Sequence, residues 1–234
     1  MQIKILSETT VNPITKIGER AGICWGANIT DPEKNYKRGL QCLKDNHGRA
    51  LEFVDVELFI DEVSARFGRE WYTHIGGSPT RLQKSTRYNL EENKPFSYVT
   101  PGSILNNPQA RDVYINTMQT IWDNIVLLKE FGIPNEDATM LLPLGMTTGI
   151  VDKRNVRNFI DMSHVRMCNR AFWEFRDVMD EICKLLSELS EEWVYIIENY
   201  FKPNCKFFVC KESRKCTGDH RLTSKVGYTI NKKG

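Results

Sequence analysis

A chain of 234 residues, 41% of them hydrophobic, is long and apolar enough to bury one large core or two small ones. Its 32 lysines and arginines against 30 acids leave a net charge of +2, too balanced for whole-surface attraction to nucleic acid, and no apolar run approaches the roughly 18 residues of a membrane span. Seven cysteines, an odd number, speak for reduced thiols rather than a disulfide framework, and the opening Met1-Gln2-Ile3-Lys4-Ile5 lacks the apolar core of a secretory signal. The expectation is a cytoplasmic protein with no membrane and no nucleic-acid partner.

In chain order, residues 2–6 read as a short strand, and residues 14–22 and 35–45 as helices separated by a break at Cys24-Trp25-Gly26. Val54, Val56, Leu58 and Ile60 alternate with Asp55, Glu57, Phe59 and Asp61, the period-two pattern of a half-buried strand. Residues 63–73 predict a helix that delivers a loop carrying Gly76, Gly77 and Pro79, and residues 96–99 a second short strand. Between 109 and 131, Val113, Tyr114, Met118, Ile121, Trp122, Ile125 and Leu128 recur in steps of three and four, giving an amphipathic helix of about six turns. Residues 139–149 read as an apolar connector with proline and two glycines, leading to a second long helix over 156–189. After Lys202 the chain is polar and weakly periodic. The predicted fold class is α+β, a small, mostly antiparallel sheet packed with long helices. Residues 1–202 form a single domain and residues 203–234 a cysteine-bearing tail.

Residues 81–89 gather Arg81, Gln83, Ser85, Thr86 and Arg87 beside Tyr88. A guanidinium fork with neighbouring hydroxyls suits an anion such as phosphate, whereas the plain alternative is a solvated loop with ordinary Ser/Thr capping. On a continuous second helix, Asn155, Ser163, Arg166 and Arg170 fall near one face, either lining a ligand cleft or facing solvent with Arg170 paired to Glu174. His47 and His74 lack the neighbours of a metal site. Cys205, Cys210, Cys216 and His220 have zinc-donor side chains, but without a Cys-x-x-Cys knuckle they read as thiols in a polar tail, and no metal is expected.

Taken in order, these pieces resemble the flavin-dependent thymidylate synthases over roughly residues 47–216. His47 and Glu52 match a His…Glu segment before a strand. Arg69-Glu70-Trp71-Tyr72-Thr73-His74-Ile75 follows the family's Arg-Gln-(Trp)-x-Arg-His-Arg, and Gln83-Lys84-Ser85-Thr86-Arg87-Tyr88 its Gln-Glu-Ser-x-Arg-Tyr. Ala138 to Pro143 matches Ala-Arg-x-Val-Leu-Pro. Asn155-Val156-Arg157, Arg166 and Ala171 to Arg176 match the helix that follows, and the segment from Lys202 through Cys216 is similar to a cysteine-bearing tail in one branch. The resemblance implies a homotetramer binding FAD and dUMP in sites shared between subunits. A one-carbon unit passes from methylenetetrahydrofolate to uracil C5, with NADPH recharging the flavin and no enzyme nucleophile. It also implies roles: Ser85, Thr86 and Arg87 at the nucleotide phosphate with Arg81 in support, Gln83 between nucleotide and flavin, and Arg166 at the pyrimidine. His47, His74, Asn155, Arg157 and Arg170 would lie around the flavin.

Three family cations are absent, at Thr73, Ile75 and Thr139, and the loop between His74 and Gln83 is longer than the family's. A hydrogen bond to a charged group contributes about 1.5–3 kcal/mol. The pattern therefore leaves two alternatives beside a thymidylate synthase: the same fold acting on another uridine nucleotide, or a nucleotide-binding homologue without catalysis.

Overall fold

The computed structural model describes residues 1–86, 94–213, 216 and 228–231. In chain order the elements are β1 (Gln2–Ile5), α1 (Pro13–Cys24), α2 (Pro32–Lys44), the single turn α3 (Gly48–Leu51), β2 (Asp55–Ser64), α4 (Ala65–Trp71), β3 (Thr80–Gln83), β4 (Tyr98–Pro101) and the turn α5 (Gly102–Leu105). They continue with α6 (Pro108–Glu130), the turn α7 (Asn135–Ala138), β5 (Thr147–Asn155), α8 (Val156–Arg166), α9 (Trp173–Ser187), α10 (Glu191–Tyr200) and β6 (Tyr228–Asn231).

The fold is α+β, as the sequence predicts. Four antiparallel strands run in the order β1-β2-β5-β3, and β4 pairs antiparallel with β6 in a separate ribbon. The alternation in β2 does what its period requires: Val56, Leu58 and Ile60 are fully buried, while Asp55, Glu57 and Phe59 are only half-buried on the other face. One register shift, between Ile60 and Val63, bends β2 where it feeds α4. The main core joins β2 to Phe67 and Trp71 of α4, Phe159 and Met162 of α8, and Phe175, Val178 and Ile182 of α9. A smaller core gathers Phe96, Tyr98, Met118, Trp122 and Ile125 under α6.

The α1–α2 hairpin closes on two glycines. A Cβ on Gly18 would lie 1.8 Å from the Asn35 carbonyl oxygen, and one on Gly39 would lie 1.9 Å from that of Ile14, so the two backbones touch.

Several elements differ from the sequence reading. The helix over 156–189 is two helices, with a turn at 167–172. Nothing in 156–189 is glycine or proline, and the apolar rhythm carries straight across. The break is tertiary: Arg166 turns back onto α4, and Arg176 Nη1 donates to the Asn169 carbonyl at 2.7 Å, tying the turn to α9. Asn155, Ser163, Arg166 and Arg170 therefore share no continuous face. Asn155 caps α8, Ser163 is fully buried and donates to the Ile160 carbonyl, and Arg170 lies beyond the helix end, paired with Glu212 rather than Glu174. The connector at 139–149 holds a 3-10 turn and then enters β5, an inner strand of the sheet. Arg81 belongs to a strand, not a loop, and α10 is an additional helix. No helix among the described residues is long and apolar enough to cross a membrane.

Candidate active site

The site rests on a polar network inside the core. Asp152 and Arg154 alternate with Val151 and Lys153 on β5, which turns both charged side chains inward, where each is fully buried. Arg154 donates from Nε to Asp152 Oδ2 at 2.6 Å and from Nη2 to Oδ1 at 2.7 Å. Its Nη1 donates to Asn158 Oδ1 at 2.8 Å, and Trp71 Nε1 donates to Asp152 Oδ1 at 2.9 Å. The guanidinium lies 4.4 Å from the Trp71 ring centroid. A buried ion pair persists only when its remaining donors and acceptors are met, and here they join β5, α4 and α8.

Above this base stands Arg166, the last residue of α8. It donates from Nη1 to Glu70 Oε2 at 2.6 Å, from Nε to His74 Nε2 at 2.8 Å and from Nη2 to Thr73 Oγ1 at 3.4 Å. Its plane rests over the Phe175 ring, 4.6 Å from the centroid. Three bonds and a ring fix the orientation and leave two of the five N–H donors of a guanidinium for a ligand. Burial first, then the charges of Arg166, Arg154 and Arg81, bring the His74 pKa from 6.5 down to about 4. His74 is therefore neutral near pH 7, its Nε2 lone pair accepting from Arg166 and its proton on Nδ1.

α4 is held in place from its other end. Ser64 caps the helix by accepting from Phe67 N at 3.0 Å and donates its hydroxyl to the buried Glu174 carboxyl. Burial pushes the Glu174 carboxyl up, opposed by the Ser64 hydroxyl and amide.

The glycine loop lies against the start of α8. A Cβ on Gly77, which has φ +69°, would come 2.3 Å from Asn155 Nδ2, and one on Gly76 would come 2.9 Å from Asn158 Nδ2. Only glycine lets the loop approach this helix end. Arg81 Nη1 donates to the Tyr72 carbonyl at 2.9 Å and stacks 4.4 Å from the Tyr72 ring centroid. Gln83, on the same strand, donates to Thr148 Oγ1 at 3.2 Å and stays exposed. Ser85 and Thr86 follow directly, Ser85 half-buried and Thr86 exposed, while Arg87 and Tyr88 lie outside the described residues.

A second group sits at the outer side of α8. Arg157 Nη1 donates to Glu52 Oε1 at 2.6 Å and packs against Gly48, next to the half-exposed His47. His47 and Arg49 border a cavity of about 390 Å³ walled by Trp25 and Phe53. The positive end of the eleven-residue α8, the Asn155 and Asn158 amides, the Arg157 guanidinium and a loop without Cβ atoms make a donor set that fits an anionic, polar cofactor such as a flavin nucleotide. Arg170 stands apart from these residues. It shares with Arg166 and His164 a cavity of about 870 Å³ between the end of α8 and the chain after α10.

Sequence reasoning missed Glu70, Asp152, Arg154 and Phe175 as site-building residues. For two of them a signal exists: Asp152 and Arg154 place charges at i and i+2 beside Ile150 and Val151, the mark of a strand that buries a charge pair. Glu70 carries no such mark, because only the fold brings it to Arg166.

Comparison with known proteins agrees with this geometry. The family model described as thymidylate synthase complementing protein matches residues 5–190. A flavin-dependent thymidylate synthase from Geobacter sulfurreducens is 31% identical over 197 residues, covering 81% of this chain and 84% of that protein. One from Sulfurisphaera tokodaii is 31% identical over 155 residues, 66% of this chain and 57% of the relative, so this chain spans little more than half of that protein. Thymidylate synthase X from Helicobacter pylori, solved with FAD and dUMP, superposes with a TM-score of 0.66 at 20% identity, covering 86% of this chain and all of that one, and so shares the fold. With the family model matched over most of its length, the chain belongs to the flavin-dependent thymidylate synthase family.

Proposed function

We propose that this protein transfers a one-carbon unit from methylenetetrahydrofolate to C5 of dUMP or a closely related pyrimidine nucleotide. Its cofactor is FAD, and NADPH is the reductant. The observation that carries the reading is Arg166, a guanidinium fixed by Glu70, the neutral His74 and Phe175, with donors left over at the ligand side. A fixed cation favours negative charge that develops on a pyrimidine ring during reaction at C5, because its dipoles need no reorganisation. The neutral His74 adds no further positive charge beside Arg166. Gln83 lies between nucleotide and flavin, Ser85 and Thr86 meet the phosphate, and Arg81 braces their strand through Tyr72. Arg87 is assigned the phosphate on sequence alone. Bound FAD supplies the two-electron chemistry that a methyl product requires of a methylene donor. Asn155, Arg157 and His47 hold its polar parts, whereas Arg170 faces the separate cavity between the end of α8 and the chain after α10.

The working unit is a cytoplasmic homotetramer. Val113 at 67%, Phe131 at 71% and Met140 at 84% exposure leave an apolar surface of the kind that subunits cover. Residues 1–202 act as one catalytic domain with 203–234 as an appended tail.

Reconstituted with FAD, NADPH and methylenetetrahydrofolate, the purified protein should convert dUMP to dTMP. A stability screen with FAD, dUMP, UMP and dCMP reads the preferred nucleotide, since a ligand of the native state raises the unfolding temperature. A colourless protein that takes up no flavin and is stabilised by nucleotide alone would overturn the catalytic reading.

A further inference from the structure

Four of the seven cysteines meet at one place. Cys168 lies in the turn between α8 and α9, and Cys205, Cys210 and Cys216 come from the chain after α10, yet all four line the cavity of about 870 Å³. Arg166, Arg170 and Lys211 border the same cavity, so thiolates formed there face cations. His164 borders it too, and its Nε2 is buried without a partner among the described residues.

Residues 206–209 and 211–213 of the segment that carries three of these thiols are exposed. Phe208 is 69% exposed and Val209 84%. The Arg170–Glu212 pair spans 3.3 Å with both side chains about half exposed, a contact that adds little stability. Phe207 makes a ring contact with His164 at 5.0 Å. Where a segment lacks a core of its own, metal–thiolate bonds supply the folding free energy instead.

We infer that Cys168, Cys205, Cys210 and Cys216 form a thiolate site for a soft divalent cation of the zinc class, pinning the chain after α10 to the turn that follows Arg166. Four sulfur donors suit a closed tetrahedral site. Each thiol gives up its proton to solvent as its sulfur bonds the cation, so one divalent ion replaces four protons and leaves a net charge of −2, which faces Arg166, Lys211 and the Arg170–Glu212 pair. Among the described residues no three His, Cys, Asp or Glu donors already stand at metal-bonding separation. The cation must therefore draw the thiols inward, a movement that falls on the exposed residues 206–209 and 211–213. The effect on the active site is positional: Cys168 lies two residues after Arg166.

The test uses the full-length untagged chain, expressed with zinc, dialysed and assayed for metal. About one zinc per chain should be retained, and cobalt in its place should show the intense visible absorption of tetrahedral thiolate coordination. Cys168→Ser and Cys205→Ser should each lose most of the metal, while Cys24→Ser, whose thiol borders the other cavity, should keep it. Should the serine variants fail to fold, the metal content and cobalt spectrum of the natural chain still decide. A reduced chain holding well under one zinc, or full zinc retained in both Cys168→Ser and Cys205→Ser, would overturn the inference. So would an intact mass showing a disulfide among the four thiols in metal-free protein.

Discussion

Two ion pairs flank the start of α8 and share their chemistry but not their surroundings. Arg154 and Asp152 meet at 2.6 Å with both side chains at 0% exposure, and every strong partner around them is protein. Arg157 and Glu52 also meet at 2.6 Å, but with side chains 48% and 25% exposed. Distance does not separate them. Burial does: the first pair cannot trade its partner for water and therefore fixes β5, α4 and α8 to one another, whereas the second can exchange Glu52 for water or a ligand anion. The site thus has a rigid floor and an adjustable rim, the first on the end of β5 and the second on the first turn of α8.

The largest expected effect follows from the floor. Arg154→Ala leaves Asp152 charged and unpaired in the core and should cost about 3–5 kcal/mol of stability, read as a shift of the urea midpoint. Replacing both partners by apolar residues of similar size should cost much less, because no charge is then stranded. If Arg154→Ala shifts stability by less than about 1 kcal/mol, the two pairs are equivalent and the contrast between them collapses.

How much of this is legible in the sequence follows the same division. β2 and α6 are readable because their apolar residues alternate at periods two and 3.6 and bury accordingly. β5 is not, because its first residues read as the end of an apolar connector and Asp152 and Arg154 put charges on its buried face. The α8–α9 break is invisible because Arg166 and Arg176 impose it through contacts with α4 and the turn, while the apolar rhythm runs on undisturbed. Within the site, Arg166, His74, Gln83, Asn155 and Arg157 are recognisable by resemblance. Glu70 and Phe175, which aim Arg166, emerge only once α4 and α9 are packed together.

Arg166 gives the next largest effect. Arg166→Ala should weaken pyrimidine nucleotide and nucleoside alike by about 1.5–3 kcal/mol, roughly ten- to a hundredfold, since its proposed contact is to the ring. Arg87→Ala should weaken the nucleotide by a similar factor and leave the nucleoside unchanged. Calorimetry with both ligands on both variants separates ring from phosphate, and equal losses for nucleotide and nucleoside in Arg87→Ala would remove it from the phosphate.

Two buried titrations oppose each other in pH. His74 has a folded pKa of about 4 against 6.5, so its contribution to stability is full above 6.5 and is lost as pH falls toward 4, when protonation sets a charge beside Arg166. Asp180 is raised from 3.8 to about 8, by burial first and then by Asp177, with Arg176 opposing. Its contribution is full below 3.8 and is lost as pH rises toward 8. Asp180→Asn should therefore flatten the alkaline side of the stability–pH profile, and His74→Gln the acid side. An unchanged alkaline slope in Asp180→Asn would mean that this carboxyl titrates normally.

The smallest effect belongs to the rim and is the sharper test of it. The Arg157 guanidinium, first among its causes, holds the Glu52 carboxyl below the usual range, so the pair is present at neutral pH and fades as the medium turns acid. Glu52→Gln should nonetheless leave the urea midpoint in place at neutral pH, because an exposed pair returns to water at little cost. What should change is ligand electrostatics. With Glu52 neutral, Arg157 presents an uncompensated cation beside Gly48 and His47, so FAD should bind more tightly at low salt, and the gain should shrink as salt screens it. Titrating FAD into both proteins at two ionic strengths reads this directly. A Glu52→Gln protein that loses stability as Arg154→Ala does would make the rim part of the floor. One whose FAD affinity ignores salt would take Arg157 away from the cofactor's anionic groups.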